Sequence, residues 1–264
     1  MKKSSLVKTE ALILKTFPYR ETSLIVRFFS KDIGRYSFVA KGIKRGKKHF
    51  SINFEPFSHF SLTLYLKENS DLATLKEAHL IDSFYYLRQS LEKIAISSLF
   101  FEIIDKSTIS TTENDSLFDL SLLFLKQLRN SQQILSWSSF CLFKVIEILG
   151  FRPNLSFCML CPKKNITAPF YFAPSQGRFI CENCFLNLKK TGAKRNLIME
   201  SIIIDSSIQD DFLFCIKENI DNGICFRGNP QNEQKLLKIA LSILSHNLET
   251  DFKSQIFWEK VFAP

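Results

Sequence analysis

The chain has 264 residues, of which 45% are hydrophobic, and its 35 Lys and Arg against 26 Asp and Glu give a formal net charge of +9. This apolar content can form a sizeable core, which excludes a chain that is disordered throughout, and the length fits two domains or one domain with an insertion. No hydrophobic run approaches the roughly 18 residues of a transmembrane helix. Lys8, Glu10 and Lys15 also interrupt the apolar stretch that should follow the start of a signal peptide, so we expect a cytosolic protein.

The positive charge is concentrated in two segments of the chain. Residues 1–80 contain 15 basic and 7 acidic side chains, and residues 150–200 contain 8 and 2. Residues 81–149 and 201–264 are slightly acidic, with net charges of −2 and −3. Two basic segments separated by acidic ones indicate two surfaces that face a polyanion.

The first 80 residues have the period and composition of strands. Strands are predicted over residues 11–17, 23–29, 36–40, 60–66 and, more weakly, 72–78. They are rich in β-branched and aromatic residues, and no helical period lies between them. Five short strands in succession favour a small closed sheet. A five-stranded barrel of the OB type is the leading interpretation, and an SH3-like barrel would show the same pattern.

From Ser83 onwards, apolar residues recur at three- and four-residue steps, which is the period of an α-helix. Helices are predicted over residues 87–103, 117–128, 132–149, 198–203, 211–218 and 233–248. The change of period is the predicted domain boundary. Residues 1–80 are expected to form an OB-fold nucleic-acid-binding domain and residues 81–264 a helical domain, so the predicted fold class is α+β.

Four of the seven cysteines form two C-x-x-C pairs, Cys158 with Cys161 and Cys181 with Cys184, separated by 19 residues. This spacing predicts one Zn²⁺ ion held by four thiolates, because each pair can bring two sulfurs to one ion. Four protein ligands leave no open coordination position, so the predicted ion is structural. Predicted strands at residues 170–172 and 178–180 would form a hairpin that returns the second pair to the first, in a zinc ribbon of about residues 154–190 inserted in the helical domain.

Disulfides are the alternative for these pairs, and a cytosolic chain disfavours them. A thioredoxin-like site needs only one C-x-x-C, in a βα setting. We interpret the other three cysteines, Cys141, Cys215 and Cys225, as core or near-surface thiols.

A strongly basic loop follows the third predicted strand. It contains five cations in eight residues, namely Lys41, Lys44, Arg45, Lys47 and Lys48. Repeated charges on a loop with two glycines suit a phosphodiester backbone, because each contact releases counterions. The glycine spacing does not match a phosphate-binding P-loop, which excludes a nucleotide site of that kind. The alternative is a solvated loop without a ligand.

Aromatic residues lie beside basic ones at the ends of neighbouring strands. Tyr19 precedes Arg20, and Arg35 precedes Tyr36, and both pairs flank predicted turns where we expect them to be exposed. A ring beside a cation can stack on a base while the charge contacts phosphate. The predicted DNA contacts are Lys15, Tyr19, Arg20, Arg35, Lys41, Lys44, Arg45, Lys47 and Lys48.

No motif for catalysis is present in the sequence. The four histidines show neither H-E-x-x-H nor H-x-E spacing, and there is no G-x-S-x-G or G-x-G-x-x-G. We therefore predict that the protein is not an enzyme and assign no catalytic residue. A hydrolase on an unfamiliar scaffold is the alternative, which a nuclease assay would test.

Segments along most of the chain resemble the RecO family of bacterial recombination mediators. They read ALILKT (11–16), YRETSLIV (19–26), DIGR (32–35), VAKGIKR (39–45), EPF (55–57), LY (64–65), LATLKEA (72–78), IEILGFRP (146–153) and YFAP (171–174). The two C-x-x-C pairs also fit the family, and His246 and residues 252–254 match more weakly. The resemblance is densest in residues 10–80 and 140–185.

The resemblance implies an OB-fold followed by a helical domain with a zinc ribbon. The implied activity is non-enzymatic: binding of single- and double-stranded DNA, annealing without ATP, and help for RecA in displacing single-strand-binding protein in the RecF pathway of repair. The implied protein partners are RecR and the acidic tail of single-strand-binding protein, and no membrane is an implied partner. The implied location is the cytoplasm, in association with the nucleoid. A generic OB-fold and zinc-ribbon protein that binds RNA or acts in transcription is the alternative, and it predicts no strand annealing.

Overall fold

The computed structural model of the chain contains two units. It describes residues 4–41, 53–67, 70, 72–108, 114–164, 167–218 and 229–263. The first unit combines Met1–Asn130 with Phe252–Pro264, and the second is Ser131–Asp251. The predicted boundary at residue 80 lies inside the first unit, where strands give way to helices, and as a domain boundary it stays a prediction.

The first unit contains a closed barrel of five strands. These are β1 (Ser4–Tyr19), β2 (Ser23–Ser30), β3 (Gly34–Ala40), β4 (His59–Lys67) and β5 (Leu72–Asp82). Their order around the barrel is β1-β2-β3-β5-β4, and every neighbouring pair is antiparallel except β3 and β5, which are parallel. This arrangement confirms the OB-type barrel rather than the SH3-like alternative.

Alternation along the strands fills the barrel with aromatic rings. Every second residue of β3 is buried, and Phe38 packs against Phe28 and Phe54 with ring centroids 5.7 and 5.1 Å apart. Tyr36 belongs to the same inward set, and its hydroxyl donates a hydrogen bond to the carbonyl oxygen of Ser70. The expectation that Tyr36 is exposed is therefore wrong, because its position in β3 directs the ring into the core.

Eight helices follow within the described residues. They are α1 (Leu91–Ser107), α2 (Asp115–Gln127), α3 (Ile134–Ile148), α4 (Glu182–Thr191), α5 (Arg195–Glu200), α6 (Ser206–Lys217), α7 (Glu233–Asn247) and α8 (Lys253–Val261). The first unit contains α1, α2 and α8, and the second contains the other five. None of these helices combines the length and apolar character needed to cross a bilayer.

The second unit also contains a small sheet of three strands in the order β7-β6-β8. The antiparallel pair of β6 (Phe170–Ala173) and β7 (Arg178–Cys181) is the predicted hairpin. The helix predicted over residues 198–203 is wrong in its second half, because Ile202–Ile204 forms β8. Three consecutive β-branched residues favour that strand.

The sequence patterns did not predict α8, whose first turn is bound by a residue of α1. Glu102 is buried, and its carboxylate accepts hydrogen bonds from the backbone N–H groups of Lys253 at 3.1 Å and Ser254 at 2.7 Å. Donors in the first turn of a helix have no partner within the helix, and a negative charge there is stabilised by the helix dipole. Burial raises the pKa of Glu102, but the N–H donors outweigh burial and hold the pKa below its usual range.

We expect Glu102→Gln to lower the free energy of unfolding by about 2 kcal/mol at neutral pH, because an amide loses one charge-assisted acceptor. The folded-state pKa is depressed, so the carboxylate stabilises the fold above its unfolded pKa, and this contribution is lost as the pH falls through the folded pKa. The difference between wild type and variant in urea denaturation should therefore shrink on acidification. Glu259→Gln, an exposed change on α8, is the control, and equal losses in both variants would contradict the capping role.

Candidate metal centre and nucleic-acid interface

The four cysteines of the two C-x-x-C pairs meet at one point in the second unit. Their Sγ atoms all lie within 4.8 Å of one another, and those of Cys161 and Cys181 are 3.7 Å apart. Thiolates around a tetrahedral ion with Zn–S distances of about 2.3 Å stand roughly 3.8 Å apart, whereas bonded sulfurs stand about 2.05 Å apart. The arrangement therefore fits a metal centre with four thiolate ligands and not a disulfide.

Local structure brings the two pairs together. The first knuckle (residues 158–161) lies in irregular chain, and the second knuckle (residues 181–184) joins the end of β7 to the first turn of α4. The backbone N–H of Met159 donates to the carbonyl oxygen of Phe179 on β7 at 3.0 Å, which holds the first knuckle beside the strand. The predicted return of the second knuckle through the hairpin is confirmed.

Backbone donors surround the sulfur of Cys158. Its Sγ accepts hydrogen bonds from the N–H groups of Cys181 at 3.3 Å and Leu160 at 3.4 Å. Burial raises the pKa of this thiol, but these donors lower it to about 7, while burial raises the pKa of Cys181 and of Cys184. Because N–H donors favour a thiolate and four sulfur ligands suit a soft or borderline ion, the residues present fit a closed structural site.

The outer face of β1, β2 and β3 carries a cluster of cations. A register shift after Ile13 precedes Lys15, which lies opposite Arg27 of β2. Arg35 belongs to the same outward set of β3, since its side chain points away from the buried alternate residues of that strand. Lys15, Arg27 and Arg35 are 40, 37 and 34% exposed in their side chains. All three cations therefore reach the solvent.

One buried carboxylate binds these three cations. The side chain of Asp105 on α1 is only 4% exposed. Its carboxylate oxygens lie 3.0 Å from Nζ of Lys15, 3.3 Å from Nη1 of Arg27 and 3.5 Å from Nη1 of Arg35. Arg35 also donates to the backbone carbonyl of Asp105. Since one negative charge faces three positive ones, the cluster stays cationic. We call Lys15, Arg27, Arg35 and Asp105 the barrel cluster.

Aromatic rings lie beside the barrel cluster. Phe17 on β1 is 40% exposed, and the guanidinium of Arg27 lies 5.6 Å from its ring centroid. Sequence reasoning missed Phe17 and Arg27, although alternation through β1 and β2 places them on the same face as Lys15. A second stack forms where Arg20, in the turn after β1, lies 5.2 Å from the ring of Tyr19.

Lys41 is the one residue of the predicted basic loop within the described part of the chain. Because Leu24 of β2 pairs with Ala40 of β3, Lys41 follows β3 at the end of the sheet where the β1–β2 turn lies, and it is exposed. The remaining predicted contacts are Lys44, Arg45, Lys47 and Lys48, which lie outside the described residues. The structure thus places Lys15, Arg35, Tyr19, Arg20 and Lys41 on or beside one face of the barrel.

Comparison with known proteins matches the two parts of the chain to two models of one family. The model of the recombination protein O N terminal matches residues 1–84, and that of the recombination protein O C terminal matches residues 88–192. The first contains the barrel, and the second contains the four clustered cysteines.

Several similar proteins carry the name DNA repair protein RecO. The protein of Shouchella clausii is 31% identical over 179 residues, covering 68% of this chain and 69% of the relative. Those of Bacillus subtilis and Syntrophus aciditrophicus are 29 and 28% identical over 180 and 179 residues, covering 68 and 67% of this chain and 69% of each relative. The chain therefore belongs to the RecO family of DNA repair proteins.

Proposed function

We propose that this protein binds DNA through the barrel and anneals complementary strands in recombinational repair, without catalysing a reaction. The observation that carries the proposal is the barrel cluster, with partly exposed cations beside the exposed ring of Phe17. Cations that contact phosphates and rings that stack on bases are the two components of single-strand binding. Membership of a DNA repair family supports DNA as the polyanion.

Annealing requires no catalytic residue in this proposal. Base pairing itself releases the free energy, and the protein lowers the repulsion between two phosphate chains by neutralising part of their charge. The proposed DNA contacts are those predicted from the sequence, namely Lys15, Tyr19, Arg20, Arg35, Lys41, Lys44, Arg45, Lys47 and Lys48.

The biological setting of the proposal follows from the family resemblance. The protein would help to load RecA onto single-stranded DNA coated by single-strand-binding protein, in the RecF pathway. RecR and the acidic C-terminal tail of single-strand-binding protein are the proposed protein partners, and the proposed location is the cytoplasm, at the nucleoid.

We also propose that the four clustered cysteines hold one structural Zn²⁺. When bound, the ion would link the first knuckle to the second and so stabilise the β6–β7 hairpin. The proposed zinc ribbon spans about residues 154–190, and the proposed nucleic-acid-binding domain spans residues 1–80.

We expect the protein to anneal complementary strands coated with single-strand-binding protein in the absence of ATP. A variant with glutamine at Lys44, Arg45, Lys47 and Lys48 should show a weaker salt dependence, because each lost phosphate contact lowers the slope of log K against log salt by about 0.7 for single strands. Annealing is followed by fluorescence, and the slope by titration of a labelled oligonucleotide at several salt concentrations.

The control for this experiment removes the same charge elsewhere in the first unit. It carries glutamine at four exposed lysines, namely Lys8, Lys76, Lys253 and Lys260. An unchanged slope in the loop variant would reject the four proposed contacts of the loop but would not reject the proposed function. Tight binding to structured RNA without annealing of DNA would reject the proposed function and favour the RNA-binding alternative.

A further inference from the structure

We propose that the second unit has its own binding surface for single-stranded DNA, on the side of the metal centre where the first knuckle meets the β6–β7 turn. The inference rests on the proposed function only in taking DNA as the polyanion. We call this the knuckle surface, and it comprises Phe157, Met159, Gln176, Arg178, Lys194 and Arg195.

An exposed aromatic ring begins the knuckle surface. Phe157, which precedes the first knuckle, is 41% exposed, and the guanidinium carbon of Arg178 lies 4.5 Å from its ring centroid. The Nε of Arg178 is buried and has no hydrogen-bond partner among the described residues. No carboxylate of the described residues pairs with this guanidinium, so its charge is available beside a ring on which a base can stack.

A cleft of about 480 Å³ continues the knuckle surface from Met159. Gln176 from the β6–β7 turn and Asn196 from α5 offer amide groups to the cleft, and Lys194 and Arg195 add two exposed cations. Glu200 is the one carboxylate among the described residues that line the cleft, and it accepts a hydrogen bond from the hydroxyl of Ser175. Two cations against one engaged carboxylate give the cleft a net positive charge, and amides can bind either phosphate oxygens or base edges.

Positive charge is concentrated beside this cleft at the end of α4 and the start of α5. Lys189, Lys190, Lys194 and Arg195 are all exposed, and among the described residues none of the four forms an ion pair. Gly192 and Lys194 have φ angles of 67° and 50°, so a left-handed residue ends α4 and another precedes α5. In the barrel cluster Asp105 pairs with the cations, whereas no carboxylate of the described residues forms an ion pair with these four.

Repeated cations, amides and an exposed ring together fit a single strand better than an acidic peptide. A peptide carboxylate would use the cations but would leave the ring of Phe157 without a stacking partner, whereas a nucleotide uses both. With one such surface on each unit, one protein molecule could hold two strands, which is what annealing requires.

We test the knuckle surface with the full chain and labelled oligo(dT), which cannot pair with itself. The double variant Lys194→Gln with Arg195→Gln should lower the slope of log K against log salt by about 1.4 for the strand that binds the second unit, the value for two lost contacts to a single strand. The matched control is Lys217→Gln with Lys238→Gln, which removes two exposed lysines of the same unit that form no ion pair with another described residue, and it should leave the slope unchanged. Equal metal content and equal circular dichroism in all variants show that the fold is retained.

Phe157 supplies an independent arm of the test. Phe157→Leu should weaken oligo(dT) binding about tenfold, because stacking on an aromatic ring is lost, whereas Phe157→Tyr should bind like wild type. A mixture of donor- and acceptor-labelled oligo(dT) should show energy transfer with wild type and lose it with the double variant, which still binds one strand through the barrel.

Each outcome separates this inference from the proposed function. Wild type that binds no single-stranded DNA would reject the proposed function itself. If wild type binds but the double variant keeps the same slope and the same energy transfer, only the knuckle surface is rejected. In a competition experiment, labelled oligoglutamate is bound first and a competitor is then added. If unlabelled oligoglutamate displaced it and oligo(dT) did not, the assignment of the knuckle surface to DNA would also be overturned.

Discussion

Replacing Cys181 by serine should abolish stoichiometric metal binding and destabilise the second unit by about 5 kcal/mol or more, since a structural zinc contributes roughly 10–16 kcal/mol of folding free energy in zinc-finger peptides. Cys181 is 4% exposed, and its Sγ lies 3.7 Å from that of Cys161, so a hydroxyl there cannot reproduce the thiolate ligand. Metal content is measured by mass spectrometry, and stability by thermal unfolding. A chelator should reproduce the loss in wild type.

The matched control for this substitution is Cys215→Ser. Cys215 is completely buried in α6 and lies outside the cysteine cluster, so it tests the burial of a serine hydroxyl without the loss of a ligand. Within a helix the new hydroxyl can bond to the carbonyl of the preceding turn, which limits its cost. If Cys181→Ser retained one ion per chain, or lost no more stability than Cys215→Ser, the metal centre would be refuted.

Asp105→Asn should lower the free energy of unfolding of the first unit by about 2 kcal/mol. The amide keeps the size of the side chain but removes the negative charge that pairs with Lys15, Arg27 and Arg35, which then repel one another. The loss stays below that of a fully buried ion pair, because the three cations are more than one third exposed and can be hydrated. Urea denaturation of both proteins at low salt measures the difference.

Asp119→Asn is the control for the barrel cluster. Asp119 makes the same type of ion pair, with Lys31 at 3.2 Å, but its side chain is 60% exposed. Exposed pairs contribute little, so this variant should differ from wild type by less than about 0.5 kcal/mol. Similar losses in the two variants would show that Asp105 has no special role.

The cysteine cluster and the barrel strands could be predicted because their signals are local. The ligand spacing of a zinc knuckle is contained within four residues, and the alternation of β3 is visible in seven. The same alternation, followed strictly, would have placed Tyr36 inside the barrel and Arg27 outside it. The wrong expectation for Tyr36 and the omission of Arg27 both arose because the position of each residue in its strand was not followed.

The barrel cluster and α8 could not be predicted, because distant residues determine them. Asp105 follows Lys15 by 90 residues, and Glu102 precedes the first residues of α8 by 151. No periodicity connects positions so far apart, and α8 itself is only nine residues long. The strand β8 is a milder case, because three isoleucines fit either a buried helix or a strand until β6 provides the pairing edge.

The return of α8 to α1 has a consequence for synthesis on the ribosome. All of the second unit lies between Ser107, the end of α1, and Lys253, the start of α8. At about 5–20 residues per second, translation of that interval takes roughly 7–30 s. Until Trp258 emerges from the ribosome, the nascent first unit has no α8 to cover α1. The first unit is therefore begun before the second unit but completed after it. A chaperone that binds apolar nascent chains therefore has time to act on α1.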